Sequence, residues 1–145
     1  MTIRPIAAHD THALRQQVLR ANQPNANVNY PGDEAEGSIH FGGFDGETLV
    51  CIASLYDEPM PETQDEDRHV RLRGMAVSAD RAGQGLGRQL LRHCLDHSRD
   101  RGATLFWCNA RESASGFYAD SGFEKRGEAF EIEIIGTHYV MFRRL

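Results

Sequence analysis

One short segment, Gly83-Gln84-Gly85-Leu86-Gly87, carries three glycines at every second position. A strand pattern precedes the segment and an amphipathic helix pattern follows it, so its backbone N–H groups meet a helix start with no side chains in the way. Because the helix dipole adds roughly half a positive charge there, the segment predicts an anion site that suits a pyrophosphate. A tight strand-to-helix turn is the alternative. The spacing fits neither the GxGxxG dinucleotide fingerprint nor the P-loop.

Metal and thiol chemistry have less support. His93 and His97 lie four residues apart on the predicted helix, but no third ligand is visible, and a solvated helix face explains them better. The three cysteines, Cys51, Cys94 and Cys108, are odd in number and lie in apolar stretches. This pattern favours buried free thiols over disulfides or a CxxC metal site. We therefore expect no metal.

The strand that leads into the glycine segment covers residues 69–77 and alternates between two faces. Val70 and Leu72 lie on one face and Met75 on the other. Gly74 in the middle of such a strand predicts a bulge or a close approach by a ligand.

The remaining elements complete an α/β (α+β) pattern with strand, helix and turn signals along the whole chain. In chain order they are a strand at 2–7, a helix at about 11–22, a loop at 22–37, a hairpin of strands 39–44 and 49–56 with a type I′ turn at Asp45-Gly46, an acidic loop at 57–67, a helix from Leu86 to about Arg101 ended by Gly102, a buried strand at 104–108, a helix at 113–120 closed by Gly122, and strands at 123–126 and 132–142 around Gly136.

Three segments together resemble the GNAT superfamily of acetyltransferases. They are Leu72-Arg-Gly-Met-Ala-Val77, Arg81-Ala-Gly-Gln-Gly-Leu-Gly87 and Ala114-Ser-Gly-Phe-Tyr-Ala-Asp-Ser-Gly-Phe123. The matching core spans about residues 70–125, and the order of the flanking elements is compatible. The resemblance implies a single N-acetyltransferase domain over residues 1–145. Its fold would be a mixed, mostly antiparallel sheet of about six or seven strands flanked by about four helices.

The resemblance also implies an acetyl-CoA site. The end of the strand at Met75 would pair its main chain with the pantetheine arm as an added strand does, and the glycine segment would hold the phosphates. Ala82 departs from the long polar residue that the family has at this position, and Arg81 lies one position earlier. The implied contacts are Met75, Ala76, Val77, Ala82, Gly83, Gln84, Gly85, Leu86, Gly87, Arg88, Asn109 and Tyr118.

Tyr118 is the catalytic residue that the resemblance implies, because its position often donates a hydrogen bond or a proton to the departing CoA sulfur. Simple packing of the ring is the alternative. A thiol with a pKa near 8.5 is less basic than a phenolate with one near 10, so full proton transfer is uphill by about 2 kcal/mol. Tyr118 is thus expected to assist by hydrogen bonding. Cys108 is not expected as a nucleophile, because transfer in this family is direct, and Trp107 is expected in the core.

An amine acceptor needs a base. An amine with a pKa near 10.4 is mostly protonated at pH 7, and its neutral form lies about 4.6 kcal/mol higher. Some side chain or water relay must take that proton, and Glu58, His69 and Glu128 are candidates by location alone.

Composition and charge limit the partners. The 145 residues are 40% hydrophobic and 26% charged with a net charge of -5, which indicates a soluble globular protein and argues against a nucleic-acid-coating surface. With no apolar leader and no run of about 18 apolar residues, we expect a cytoplasmic protein without membrane contact. The acidic loop 57–67 could steer a cationic amine, and the terminal strands could supply the edge of a homodimer.

The expected reaction is the transfer of an acetyl group from acetyl-CoA to a primary amine of a small molecule or peptide. The acceptor would enter beside the N-terminal helix and the 22–37 loop. Two alternatives stay open: a non-catalytic acyl-CoA-binding sensor or interaction module, and an acyltransferase with a longer acyl chain or a hydroxyl acceptor.

Overall fold

The computed structural model describes residues 1–145 and contains one seven-stranded sheet in the order β1-β2-β3-β4-β5-β7-β6. Only β4 and β5 are parallel; every other neighbouring pair is antiparallel. The strands are β1 (Thr2–Ile6), β2 (Ile39–Asp45), β3 (Thr48–Asp57), β4 (His69–Val77), β5 (Leu105–Arg111), β6 (Glu124–Ile132) and β7 (Gly136–Arg144). The mixed, mostly antiparallel sheet that the sequence predicts is confirmed.

Three helical segments flank the sheet, where about four were expected. The first begins with a 3-10 turn at Ala8–Thr11, continues as α1 (His12–Leu14) and ends as a π turn at Arg15–Leu19; we call these three pieces together the N-terminal helix. The others are α2 (Leu86–Asp100) and α3 (Ser115–Asp120), the latter preceded by a 3-10 turn. None of the three helical segments combines the length and the apolar content of a membrane-spanning helix.

The N-terminal helix starts and ends earlier than the predicted 11–22. Asp10 accepts a hydrogen bond from the backbone N–H of Ala7 at 3.1 Å, so it closes the helix start from inside the first turn instead of preceding the helix. At the other end, the side chain of Gln16 donates to the carbonyls of Arg20 and Gln23 at 2.8 and 3.0 Å. These bonds satisfy carbonyls after the last turn and direct the chain into the 22–37 loop.

The two faces of the sheet carry separate cores. On one face, α2 packs Leu90, Leu91, Cys94 and Leu95 into an 18-residue cluster with the inner side chains of the central strands. On the other face, the N-terminal helix covers a smaller cluster of Leu14, Ile52 and Ala76. The period of apolar residues in α2 predicts this face, and the helix ends within one residue of the predicted Arg101.

The β2–β3 hairpin is present, but its turn is not the predicted type. Asp45 pairs with Thr48, so the two-residue loop is Gly46–Glu47. Only Gly46 has a positive φ, 59°. A positive φ at the first central residue alone is the pattern of a type II′ turn, whereas type I′ needs it at both.

The last hairpin corrects a second prediction. Gly127, with φ 73°, belongs to a bulge in which residues 127–129 lie opposite Tyr139, so β6 continues to Ile132. The chain reverses over residues 133–135, where Ile134 has φ 71°, and β7 starts at Gly136. The predicted strand 123–126 therefore does not end at Arg126: it bends at Gly127 and continues as β6.

Candidate active site

A cleft opens where β4 and β5 separate. The two strands pair only at their first residues, His69–Arg71 against Leu105–Trp107. Farther along, β4 still pairs with β3 up to Val77 and β5 still pairs with β7 up to Arg111, but they no longer pair with each other. Each strand therefore leaves an inner edge of backbone groups toward a cavity of about 240 Å³.

A bulge at Gly74 shapes one wall of this cavity. Ile52 pairs with Ala76 and Ser54 pairs with Arg73, so two residues of β4 stand opposite Ala53 alone. Gly74 has φ 65°, which glycine adopts without strain. The bulge that the sequence predicts is confirmed.

The bulge also reverses the face of the residues after it. Met75 and Val77 pack against the same core as Leu72, on the side of α2, while Ala76 contacts the N-terminal helix. The prediction that Met75 lies on the face opposite Leu72 is therefore wrong, because the extra residue shifts the alternation by one.

The glycine segment lies at the end of this strand. Gly83 and Gly85 have φ of 78° and 77°, and nothing lies within 4 Å of a Cβ built on either residue. Gly85 is the N-cap of α2, without a side-chain cap and with no acidic residue in the first turn. The first-turn N–H groups are therefore open to an anion.

Gly87 places the start of α2 against the strand. A Cβ at this position would lie 3.5 Å from the side chain of Val77 and 3.7 Å from that of Phe117. Of the other predicted contacts, Leu86 is half-buried, and Ala82, Gln84 and Arg88 are exposed around the segment. The structure thus brings the β4 end and the glycine segment together.

Arg81, one position before Ala82, points to the β2–β3 hairpin in the structure. Its guanidinium donates to Asp45 of the β2–β3 hairpin at 2.6 Å and lies 3.9 Å from Asp80. This ion pair holds the side chain toward the hairpin.

Tyr118 lies on the α3 side of the cavity with 8% of its surface exposed. Its hydroxyl is 3.9 Å from the sulfur of Met75, and its ring packs between those of Phe117 and Phe123, with centroids 5.1 and 5.3 Å away. Burial, together with the neighbouring Cys108 thiol, raises the pKa of Tyr118 well above its usual value. The phenol therefore stays protonated and can act as a hydrogen-bond donor.

The cysteine beside it is inert. Cys108 is buried, and burial raises the pKa of its thiol to about 12. A neutral thiol is a poor nucleophile, which agrees with the expectation from the sequence. Trp107 is also in the core, and its indole N–H donates to the carbonyl of Glu58 at 2.8 Å.

Asn109 lies within β5, opposite Val140, and not after a shorter strand as predicted. Its side-chain oxygen is buried and has no hydrogen-bond partner, and the residue lines the cavity. An unpaired buried acceptor costs about 1–3 kcal/mol, so a ligand that donates to this oxygen would be favoured.

The three candidate bases do not line the cavity. His69 is buried, and its Nδ1 accepts a hydrogen bond from the backbone N–H of Met60 at 3.0 Å. Its Nε2 lies 2.8 Å from a carboxylate oxygen of Asp65, but the angle does not allow a hydrogen bond. Glu58 forms an ion pair with Arg71 at 2.9 Å. Glu128 is exposed on the β6 bulge.

His138, which the sequence analysis did not single out, does line the cavity and is 4% exposed. Its Nδ1 is 2.7 Å from the carbonyl of Gly136 and must donate to it, because a carbonyl only accepts. In the neutral ring Nε2 is therefore an acceptor. An inward position on a strand that borders a cleft is visible only once the register of β7 is known.

A buried polar network supports the cavity from the side of the N-terminal helix. Arg15, fully buried, donates to both carboxylate oxygens of Asp33 at 2.7 and 3.1 Å, to Ser54 at 2.9 Å and to Tyr56 at 3.3 Å. His40 extends the network to Ser54 at 2.6 Å. Sequence reasoning missed this cluster; its only signal is an arginine inside the apolar stripe of a helix.

This network orders the 22–37 loop at the cavity. Asp33 accepts from the backbone N–H of Tyr30 at 2.9 Å, and the Tyr30 ring lies between the guanidinium groups of Arg15 and Arg73, 4.0 and 4.3 Å from its centroid. Tyr30 lines the cavity, so the 22–37 loop reaches the candidate site. A Cβ on Gly74 would lie 3.3 Å from both Arg15 and Tyr30, so the bulge and the network fit closely.

The comparisons with known proteins agree with this geometry. Residues 8–123 match the family model described as "Acetyltransferase (GNAT) family". The chain is 36% identical over 145 residues to the uncharacterized N-acetyltransferase YitI of Bacillus subtilis (strain 168), covering 100% of this chain and 97% of YitI. Among solved structures, an acyl-CoA N-acyltransferase from Pseudomonas aeruginosa superimposes with a TM-score of 0.79 at 21% identity, covering 98% of each chain. An aminoglycoside 6'-N-acetyltransferase complexed with coenzyme A gives 0.74 at 14% identity, covering 99% of this chain and 97% of that one.

Proposed function

Because the chain belongs to the acetyltransferase (GNAT) family, we propose that it transfers an acetyl group from acetyl-CoA to a primary amine by direct attack of the amine on the thioester. The observation that carries this proposal is the cleft between β4 and β5, with the glycine segment next to one end and Tyr118 along its wall.

The cleft fits an acyl-CoA arm. The inner edge of β4 offers main-chain groups of Met75, Ala76 and Val77 that no strand pairs with on that side, and an amide-bearing pantetheine arm can add to them as a strand does. The open N–H groups at the start of α2 suit the phosphates, since Gly83 and Gly85 leave space there. A protein of the same fold has been solved in complex with coenzyme A, which supports a coenzyme A site on this fold.

The reaction forms a C–N bond and breaks the C–S bond of the thioester. As the amine nitrogen attacks the carbonyl carbon, negative charge develops on the carbonyl oxygen, and the main-chain dipoles of residues 75–77 and of Gly85 stabilise it. The CoA sulfur leaves as a thiolate. Tyr118, held protonated by burial, donates a hydrogen bond to that sulfur.

The proton of the amine passes to His138. Its ring is fixed by the hydrogen bond from Nδ1 to Gly136, which leaves Nε2 as the acceptor. Among the residues that line the cavity, only His138 carries an imidazole and none carries a carboxylate, so His138 is the proposed general base.

The proposed location is the cytoplasm. The three cysteines, Cys51, Cys94 and Cys108, are all free and buried. Free thiols are typical of a reducing compartment.

Calorimetric titration of acetyl-CoA tests the proposal. Wild-type protein should bind in the micromolar range, and Gly85→Glu should abolish binding by crowding and repelling the phosphates. The matched control is Gly127→Glu, which places the same charge at a glycine of similar φ, 73°, with nothing within 4 Å, on the β6 bulge. Absence of binding by the wild type, or equal effects of the two variants, would refute an acyl-CoA site at the glycine segment.

A further inference from the structure

The charge of the cavity has a single sign. Four arginines line it, Arg20, Arg71, Arg73 and Arg111, and no aspartate or glutamate does. This contrasts with the whole chain, whose net charge is -5. The cavity is therefore an isolated cationic region in an acidic protein.

Three of the four guanidinium groups have no acidic partner. Arg71 forms an ion pair with Glu58, but Arg20 and Arg111 donate only to the carbonyl of Leu19, at 3.0 and 2.7 Å. The guanidinium of Arg73 makes no hydrogen bond and lies over the ring of Tyr30. Several donors at the cavity are thus unused by the protein.

Holding these charges together without an anion is unfavourable. Burial, followed by the positive charge of Arg71, lowers the pKa of Arg73. Burial, followed by the charge of Arg20, lowers that of Arg111. An anion in the cavity would remove this repulsion, and the planar guanidinium fork matches a carboxylate or phosphate through two parallel hydrogen bonds.

These arginines are separate from the proposed phosphate site of acetyl-CoA. Arg71 and Arg73 precede the bulge and lie on the face of β4 that carries Tyr30, whereas Leu72 points to α2 on the opposite face. The glycine segment lies beyond the other end of the strand, next to Val77. The cationic region faces the side that the N-terminal helix and the 22–37 loop enclose, where the acceptor is proposed to bind.

From this arrangement we infer that the acceptor is a small amine that also carries an anionic group, a carboxylate or a phosphate, which Arg73 and its neighbours bind. The inference rests on the proposed acetyl transfer and adds the substrate class. The cavity of about 240 Å³ must also receive the acyl end of acetyl-CoA, so the room left for the acceptor favours a small molecule, since pockets for drug-sized ligands span roughly 300–1,000 Å³. The acidic loop, by contrast, contributes no residue to the lining of this cavity.

The test compares matched acceptors. Amino acids, their carboxamides and the corresponding decarboxylated amines share an amine and differ in the acid group. A comparison of β-alanine with 2-aminoethylphosphonate distinguishes a carboxylate from a phosphonate, which stands in for a phosphate. Binding of each compound to the CoA-saturated protein is measured by calorimetry, and turnover by thiol release. At least one acid should bind or react about 10- to 100-fold better than its amide, because a hydrogen bond to a charged group contributes about 1.5–3 kcal/mol.

Variants assign the effect to the arginines. Arg73→Gln should raise the acceptor KM or Kd about 10-fold and leave the acetyl-CoA Kd unchanged, and Arg73→Lys should give an intermediate value because it keeps the charge without the fork. Arg99→Gln, which removes a charge from the far end of α2, is the control.

Two results would overturn the inference. One is that no acid in the set binds or reacts better than its amide. The other is that Arg73→Gln weakens acetyl-CoA and not the acceptor, which would assign the arginines to the cofactor. Failure of the wild type to bind acetyl-CoA is a different result and would refute the proposed function itself.

Discussion

Arg15 and Asp33 form a bidentate ion pair in which the side chains are 0% and 1% exposed, with N–O distances of 2.7 and 3.1 Å. The pair joins the N-terminal helix to the 22–37 loop, both of which border the cavity. Two buried charges offset their lost hydration only when their hydrogen bonds are made. Here Arg15 donates three more hydrogen bonds, to Ser54, to Tyr56 and to the carbonyl of Val28.

Asp33→Asn should destabilise the fold strongly. It leaves the Arg15 guanidinium buried without its counter-charge, a change that costs about 3–5 kcal/mol. Urea denaturation followed by the fluorescence of Trp107, the single and buried tryptophan, measures the change. Asp45→Asn opens the exposed pair with Arg81 and is the control, with a midpoint expected close to the wild type. Equal midpoints for the two variants would contradict a structural role for the buried pair.

The same pair predicts how stability depends on acid pH. Burial by itself raises the pKa of Asp33, but hydrogen bonds from Arg15, Tyr56 and the Tyr30 backbone outweigh it and hold the pKa at about 2. Because the folded pKa lies below the usual 3.8, this stabilisation is present above about pH 4 and is lost as pH falls toward 2. It corresponds to about 2 kcal/mol. Denaturation series between pH 6 and 2 should show this loss of unfolding free energy in the wild type. An equal loss with pH in Asp33→Asn would refute the assignment to Asp33.

Local patterns predicted most of the fold. The glycine segment, the period of α2 and the bulge at Gly74 are each determined by neighbours within a few residues, and each lies where the sequence predicts it. Errors arose where a local signal had two physical outcomes. The predicted strand 123–126 stops where a strand can either end or bend, and only the pairing of β6 with β7 decides between the two.

The site was predictable where the chemistry depends on backbone geometry, and not where it depends on distant side chains. The approach of the glycine segment to Val77 follows from their order in the chain. His138 and Arg111, which lie on the paired strands β7 and β5, meet only through the sheet register. Arg15 reaches Ser54 across 39 residues of chain, so no spacing in the sequence indicates the contact.

Tyr118→Phe should lower kcat about 10- to 1,000-fold and leave the acetyl-CoA Kd unchanged. The variant removes the hydroxyl next to Met75 and keeps the ring between Phe117 and Phe123, so packing is preserved. Steady-state thiol release gives kcat, and calorimetry gives the Kd. Phe117→Leu, which alters packing without removing a donor, is the control. A wild-type kcat in Tyr118→Phe would exclude assistance to the leaving sulfur.

His138→Asn should lower kcat/KM about 100-fold at pH 7, within the range of a lost general base. Asparagine keeps an N–H that can donate to Gly136 but has no basic nitrogen, so the variant removes the base and retains the anchoring bond. The loss should shrink as the pH approaches the pKa of the amine, because a neutral amine has no proton to give up before attack. A pH series of kcat/KM for the best acceptor separates this role from a structural one. A loss of equal size at every pH would mean that His138 only shapes the cavity, and a wild-type rate at pH 7 would assign the proton to water.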